Sequence, residues 1–164
     1  MNWLQRLFGR QSSLDFWSEG LEEVELGDGA AGATVALPDI TVADLPTDAT
    51  VVVAKVMFKF GAKENTFAGV NKLNGATVAL TSQVIQIRSD APTAYADAIN
   101  FPDDFFTLAN TAREGADVII GSVNVAAIVD GNDTYNLRWL LGRADQDNLR
   151  FNDVQVGLRL WYSV

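Results

Sequence analysis

Any chemistry in this chain must come from oxygen-bearing groups, because its 164 residues include no histidine and no cysteine. That removes the triads built on Ser–His–Asp or Cys–His, thiolate metal sites, and the side chain that ordinarily titrates near neutrality. A carboxylate pair of the kind glycosidases use remains, with Asp103, Asp104, Glu114 and Asp117 as candidates. Their spacing marks none of them, and acidic residues beside Pro and Gly are ordinary turn formers. Calcium would need six to eight oxygens. Asp130, Asn132 and Asp133 could supply some from one turn, and Asp145, Asp147 and Asn148 from the next. The first turn lacks the closing glutamate of an EF-hand loop, and turn chemistry accounts for both clusters without a metal. Asn132-Asp-Thr134 fits the N-glycosylation pattern, with no secretory signal beside it. No glycine-rich phosphate loop occurs. The reading is of no catalytic, cofactor or metal site.

Aromatic groups offer contact surfaces. Trp139 alternates with Tyr135 and Leu137 and reads as core. Trp161 lies opposite the aliphatic face of its own segment, beside Arg159 and Gln155. It is the better candidate for a subunit contact or for stacking on a sugar. Near the start, Trp3, Leu4, Leu7 and Phe8 share one helical face, with Gln5, Arg6 and Arg10 opposite. Ten residues are too few for a stable isolated helix, so this arm must dock on its own domain, on another subunit or larger assembly, or on a membrane surface, for which two arginines make a poor basic face.

The segments that would position these groups read as strands. In 152–164, Val154, Val156, Leu158, Leu160 and Tyr162 recur at every second position, the period of a strand with one buried face. So apolar a segment should be a central strand. Residues 50–60 alternate likewise, with Val52, Ala54, Val56, Phe58 and Phe60 on the expected inner face. Residues 76–88 contain a strand with Ile85 and Ile87 inward and Gln86 and Arg88 outward. Residues 33–37 form a short strand, and 40–48 an edge strand or crossover. Residues 14–25 read as a loop or short helix, 93–104 as irregular or a helical turn, and 105–110 as a short strand. Residues 117–129 and 134–141 read as a hairpin about Asp130-Gly-Asn-Asp133, with 149–164 returning as the third strand of a meander.

The expected fold is all-β: a single-domain antiparallel β-sandwich, jelly-roll-like, over 14–164, with a short N-terminal amphipathic helix in an arm over 1–13. A chain of this length buries about 70% of its unfolded surface. A formal net charge of −9 argues against nucleic acid, which calls for clustered Lys and Arg. No run approaches the roughly 20 apolar residues that span a bilayer, and Gln5, Arg6 and Arg10 break any secretory core in the first ten residues.

Residues 50–60, Asn100-Phe-Pro-Asp-Asp-Phe-Phe106, Asp130-Gly-Asn-Asp-Thr-Tyr-Asn136 and Asn152-Asp-Val-Gln-Val-Gly-Leu-Arg-Leu-Trp-Tyr162 give residues 50–164 a texture that resembles small β-sandwich proteins of tailed-bacteriophage virions. That resemblance implies a non-enzymatic capsid decoration, cement or fibre component located in the virion. Its partners would be a homo-oligomer and/or the major capsid protein, met through Trp3, Leu4, Leu7, Phe8 or Trp161. A carbohydrate-binding or adhesion module is the alternative.

Overall fold

The computed structural model describes residues 11–25, 33–65, 83–90, 93–101, 113–114, 118–141 and 149–164. In chain order the strands are β1 (Gln11–Trp17), β2 (Leu21–Glu25), β3 (Thr34–Ala36), β4 (Ile40–Thr41), β5 (Thr50–Lys59) and β6 (Ala62–Asn65). They continue with β7 (Gln83–Arg88), β8 (Ala96–Phe101), β9 (Arg113–Glu114), β10 (Ile119–Ile120), β11 (Thr134–Leu140) and β12 (Leu149–Ser163). Every strand pair is antiparallel, and no helix occurs among the described residues. The expected N-terminal helix falls on residues 1–10, outside the described residues. Gln11–Ser13, grouped with that arm from the sequence, open β1.

β12 is central, as its alternation predicts. Its C-terminal half runs between β1 and β5, and its N-terminal half between β2 and β6. Val154, Val156, Leu158 and Leu160 are fully buried. Phe151 is buried too, three residues before Val154, so the period-2 pattern slips once between them. The slip sits at Asp153, whose φ is 52°. A short polar side chain tolerates that left-handed backbone better than the β-branched residues around it.

A smaller sheet, in the order β3-β11-β7-β8 with β4 also on β11, faces the larger one. One cluster of buried side chains joins the two. Its centre is Trp139 of β11, stacked on Phe101 (5.3 Å, 14°) and Phe151 (5.3 Å, 25°), with Phe58 edge-on at 5.4 Å. Phe58 and Phe151 come from the larger sheet, so the indole ties the two layers into a sandwich-like arrangement. On β11 the burial alternates as the sequence dictates, with Tyr135, Leu137 and Trp139 inward.

Five expectations are corrected. Residues 117–129 and 134–141 do not form a hairpin: β10 pairs with β5, and β11 lies in the other sheet. Between them the chain runs beside β5 with its polar groups bound one by one. Gly121 N–H donates to the Val56 carbonyl and Val125 N–H to that of Ala54. Lys55 Nζ donates to the Ser122 carbonyl, and Asn124 Oδ1 accepts from Ala54 N–H. The β-branched residues of this segment fill the sandwich without a ladder, and Val125 and Val129 are buried. The meander fails for the same reason, since β12 pairs with β5 rather than β11.

Residues 14–25 hold most of β1 and all of β2, where a loop or short helix was expected. Within 93–104, Ala96–Phe101 is a strand whose register with β7 shifts between Ile85 and Gln86. The extra residue puts Ala98 and Ile99 both in the interior, which hides the alternation. On β5, Val52 is 44% exposed instead of inward. The register with β12 shifts beside it, between Trp161 and Tyr162, and Val51 packs on the core in its place.

Tyr135 closes the turn before β11. Its hydroxyl donates to the Gly131 carbonyl (2.9 Å) and accepts from Gly131 N–H (3.3 Å). Tyr135→Phe leaves both groups unpaired in a part-buried place, and a loss of about 1–3 kcal/mol is expected in urea denaturation. Burial raises the phenol pKa above its ordinary value, against a smaller opposing effect of the Gly131 hydrogen bond. The folded chain therefore holds the proton more tightly than the unfolded one. This contribution is full below the ordinary phenol range and is lost as pH rises through the folded value, a component the phenylalanine variant lacks.

Candidate functional site

Three exposed apolar side chains lie along β1 and β2 at one border of the larger sheet. Leu14, Trp17 and Leu21 are 37%, 38% and 38% exposed, where comparable side chains two strands inward are fully buried. Register places them. Leu14 lies opposite Leu160, and Phe16 opposite Leu158, on the inner face. Ser13, Asp15 and Trp17 lie opposite Trp161, Arg159 and Gly157 on the outer face.

Gly157 is what lets Trp17 lie flat on the sheet. A Cβ there would stand 2.8 Å from the indole and 3.0 Å from the Met57 methyl. Lys59 Nζ is 5.9 Å from the centre of the Trp17 ring, within cation–π range. One row away, Arg159 grips Asp15 through both oxygens, Nε to Oδ1 and Nη2 to Oδ2, each at 2.7 Å. The hydrogen bond from Arg159 pulls the Asp15 pKa below the usual aspartate value, with partial burial opposing it. A depressed carboxylate contributes stability above its unfolded pKa and loses it as pH falls through the folded value. Both side chains are about one-third exposed (36% and 34%), so water screens the pair. Asp15→Asn is expected to cost at most about 1 kcal/mol at neutral pH and nothing once the wild-type carboxylate is protonated. Thermal melts of both chains from neutral to acid pH read this as converging curves.

Trp161 is half-buried on the same outer face, between Ser13 of β1 and Val53 of β5. Trp3, Leu4, Leu7 and Phe8 lie outside the described residues, as do Asp103, Asp104, Asp117, Asp145, Asp147 and Asn148. Glu114 is in β9, opposite Ala62. Asn132 spends its amide on the neighbouring loop: Oδ1 accepts from Leu45 N–H (2.9 Å) and Nδ2 donates to the Leu45 carbonyl (3.0 Å). Asp133 Oδ1 accepts from Thr134 N–H at 2.7 Å. The Asp130–Asp133 turn thus has a structural use for its oxygens. Among the described residues, no three His, Cys, Asp or Glu side chains gather as a metal site would require.

Two other features gather polar groups. An open groove of about 370 Å³ lies between Leu21, Glu22, Lys59, Phe60, Asp153 and Gln155. Within it Lys59 Nζ donates to Gln155 Oε1 at 3.0 Å. On the smaller sheet, the Tyr95 ring faces the guanidinium groups of Arg88 (4.5 Å) and Arg138 (3.9 Å). Arg138 Nε donates to Gln86 Oε1, and Gln86 Nε2 to Asp97 Oδ1, both at 2.8 Å. These bonds cover Gln86, expected outward but 8% exposed, and knit β7, β8 and β11 together. The β1 border is what sequence reasoning missed. Its signal was the alternation of Ser12, Leu14 and Phe16, obscured by Trp17 on the opposite face.

No protein-family model and no curated protein matches this chain. Among solved structures, a chain from the capsid of Ralstonia phage GP4 aligns over 95% of this chain and 85% of its own length. The identity is 13% and the TM-score 0.34, a likeness too slight to carry an argument about fold or role.

Proposed function

We propose that this chain is a non-enzymatic structural subunit of a bacteriophage virion, a capsid decoration or cement protein or a fibre subunit, acting through protein–protein contacts. The observation that carries the reading is the solvent-facing apolar border of Leu14, Trp17 and Leu21 at the edge of the larger sheet. Exposed apolar side chains gathered along one border favour contact with another protein. The virion assignment is supported by the resemblance of residues 50–164 to phage β-sandwich proteins. A jelly-roll-like winding and an N-terminal helix that reaches a neighbour belong to the same proposal. The partners are further copies and/or the major capsid protein, since a net charge of −9 disfavours nucleic acid.

Sedimentation of the native protein tests this. Recovery with capsid-sized particles, at a fixed ratio to the major capsid protein, is the expected result. Recovery only in slow, particle-free fractions would end the reading. The half-exposed Trp161 favours a second reading, a carbohydrate-binding or adhesion module. A glycan array comparing wild type with Trp161→Ala separates the two, because the structural subunit should bind no glycan.

A further inference from the structure

We propose that β1 pairs with β1 of a second copy across a two-fold axis at Leu14, joining two larger sheets edge to edge. This names a surface and a partner for the structural role and rests on that reading for its biological use.

Ser18 N–H donates to the Val156 carbonyl at 2.9 Å, in step with the β1–β12 register. In an antiparallel ladder hydrogen-bonded and non-hydrogen-bonded pairs alternate. Residues 12, 14 and 16 therefore spend their N–H and C=O on β12, and Ser13, Asp15 and Trp17 present theirs to the open edge. Among the described residues no strand pairs with β1 on that side.

Seven residues make this a long edge, and it carries none of the usual deterrents. It has no proline and no lysine, and its one charge, Asp15, is already bound by Arg159. A two-fold contact must match the strand to itself, which leaves few registers. Centring on Asp15 would set two carboxylates face to face, which like charges disfavour. Centring on Ser13 would leave Phe16 and Trp17 beyond the paired length. Centring on Leu14 sets Ser13 against Asp15 and Ser12 against Phe16 of the partner. Leu14 then meets Leu14 of the partner subunit in a non-hydrogen-bonded pair, the closer of the two spacings. The 37% exposed leucine at the open border of the core is covered by its own copy. Strand pairing alone buries less than the roughly 1,200–2,000 Å² of a standard interface, so the dimer is weak and concentration-dependent.

The absence of cysteine makes a clean test. Under mild oxidation Leu14→Cys should form a disulfide-linked dimer in high yield, and Ser12→Cys should not, because its counterpart is Phe16. Adding Ser13→Pro to Leu14→Cys removes an N–H that points away from β12, a substitution an edge strand tolerates. It should leave the circular dichroism spectrum unchanged and cut the cross-linking rate about thirtyfold, the scale of two net hydrogen bonds, one lost from each copy. Equal cross-linking by the Leu14 and Ser12 variants, or none by either at concentrations where other contacts form, would overturn the pairing. A chain recovered in particles without this cross-link would refute the dimer alone. A cross-linked dimer absent from particles would sustain the dimer and refute the virion role.

Discussion

Trp139→Ala is expected to cost about 3–5 kcal/mol, a large share of the total stability of a domain this size. The indole is fully buried where aromatic side chains from both sheets converge. Two rings stack on it, Phe101 and Phe151, and Phe58 meets it edge-on. Truncation forfeits the transfer free energy of the ring system and opens a void. The void's walls belong to four strands, β5, β8, β11 and β12, each held in its ladder. Collapse into the gap is therefore limited, which puts the cost toward the upper end of the range. Chemical denaturation should show a lower midpoint with an unchanged slope, the sign of lost stability without altered cooperativity. Trp139→Phe keeps part of the stack and should lose less than half as much. Equal losses in the two variants would mean that the void is filled by movement of the neighbours, and that the indole is not what holds the layers together.

How far the sequence reveals this fold depends on whether a strand keeps step. β11 and the C-terminal half of β12 alternate without interruption, and their inward residues can be named from the sequence alone: Tyr135, Leu137, Trp139, then Val154 to Leu160. β5 is nearly as clear, failing at Val52, where a bulge inserts one residue, and at Met57, which is buried on the outer face. β8 fails altogether as a pattern. Ala98 and Ile99 are consecutive and both buried, and no period of two survives that. Bulges are set by the partner strand, which lies far away in sequence, so local periodicity cannot report them.

Pairing was harder to read than the existence of strands. The Asp130-Gly-Asn-Asp133 turn carries good hairpin residues, yet it leads from a loop capping β5 into the opposite sheet. Its chemistry is used on Leu45 and Tyr135, contacts invisible to a local reading. The candidate interaction border was legible only in part. Trp161 was placed on the outer face from parity, whereas β1 beside it passed for a loop because Trp17 breaks its apolar alternation.

The second large effect comes from a glycine. Gly121 follows β10, donates its N–H to Val56 in the larger sheet, and passes directly against β8 of the smaller one. A Cβ built there would lie 2.4 Å from the Ala98 carbonyl oxygen and 3.0 Å from Ile99 Cγ1. The first of these is main chain within β8, and it cannot swing away as a side-chain tip would. Gly121→Ala must then part the two sheets locally or break the bond to Val56. Either is expected to cost about 1–3 kcal/mol, as overpacking of a filled interior does. A gain of about 0.4–1 kcal/mol from stiffening the unfolded chain opposes this and is too small to reverse the sign. Gly131→Ala isolates that opposing effect. Its Cβ would meet nothing within 4 Å, and its N–H to Tyr135 is kept. Thermal melts of the pair should diverge: Gly131→Ala level with wild type or slightly above it, Gly121→Ala lower by several degrees, at roughly 2–4 °C per kcal/mol. If the two variants melted together, the close approach of the sheets at Gly121 would not be a fixed feature of the folded chain, and the sandwich would be held by the aromatic centre alone.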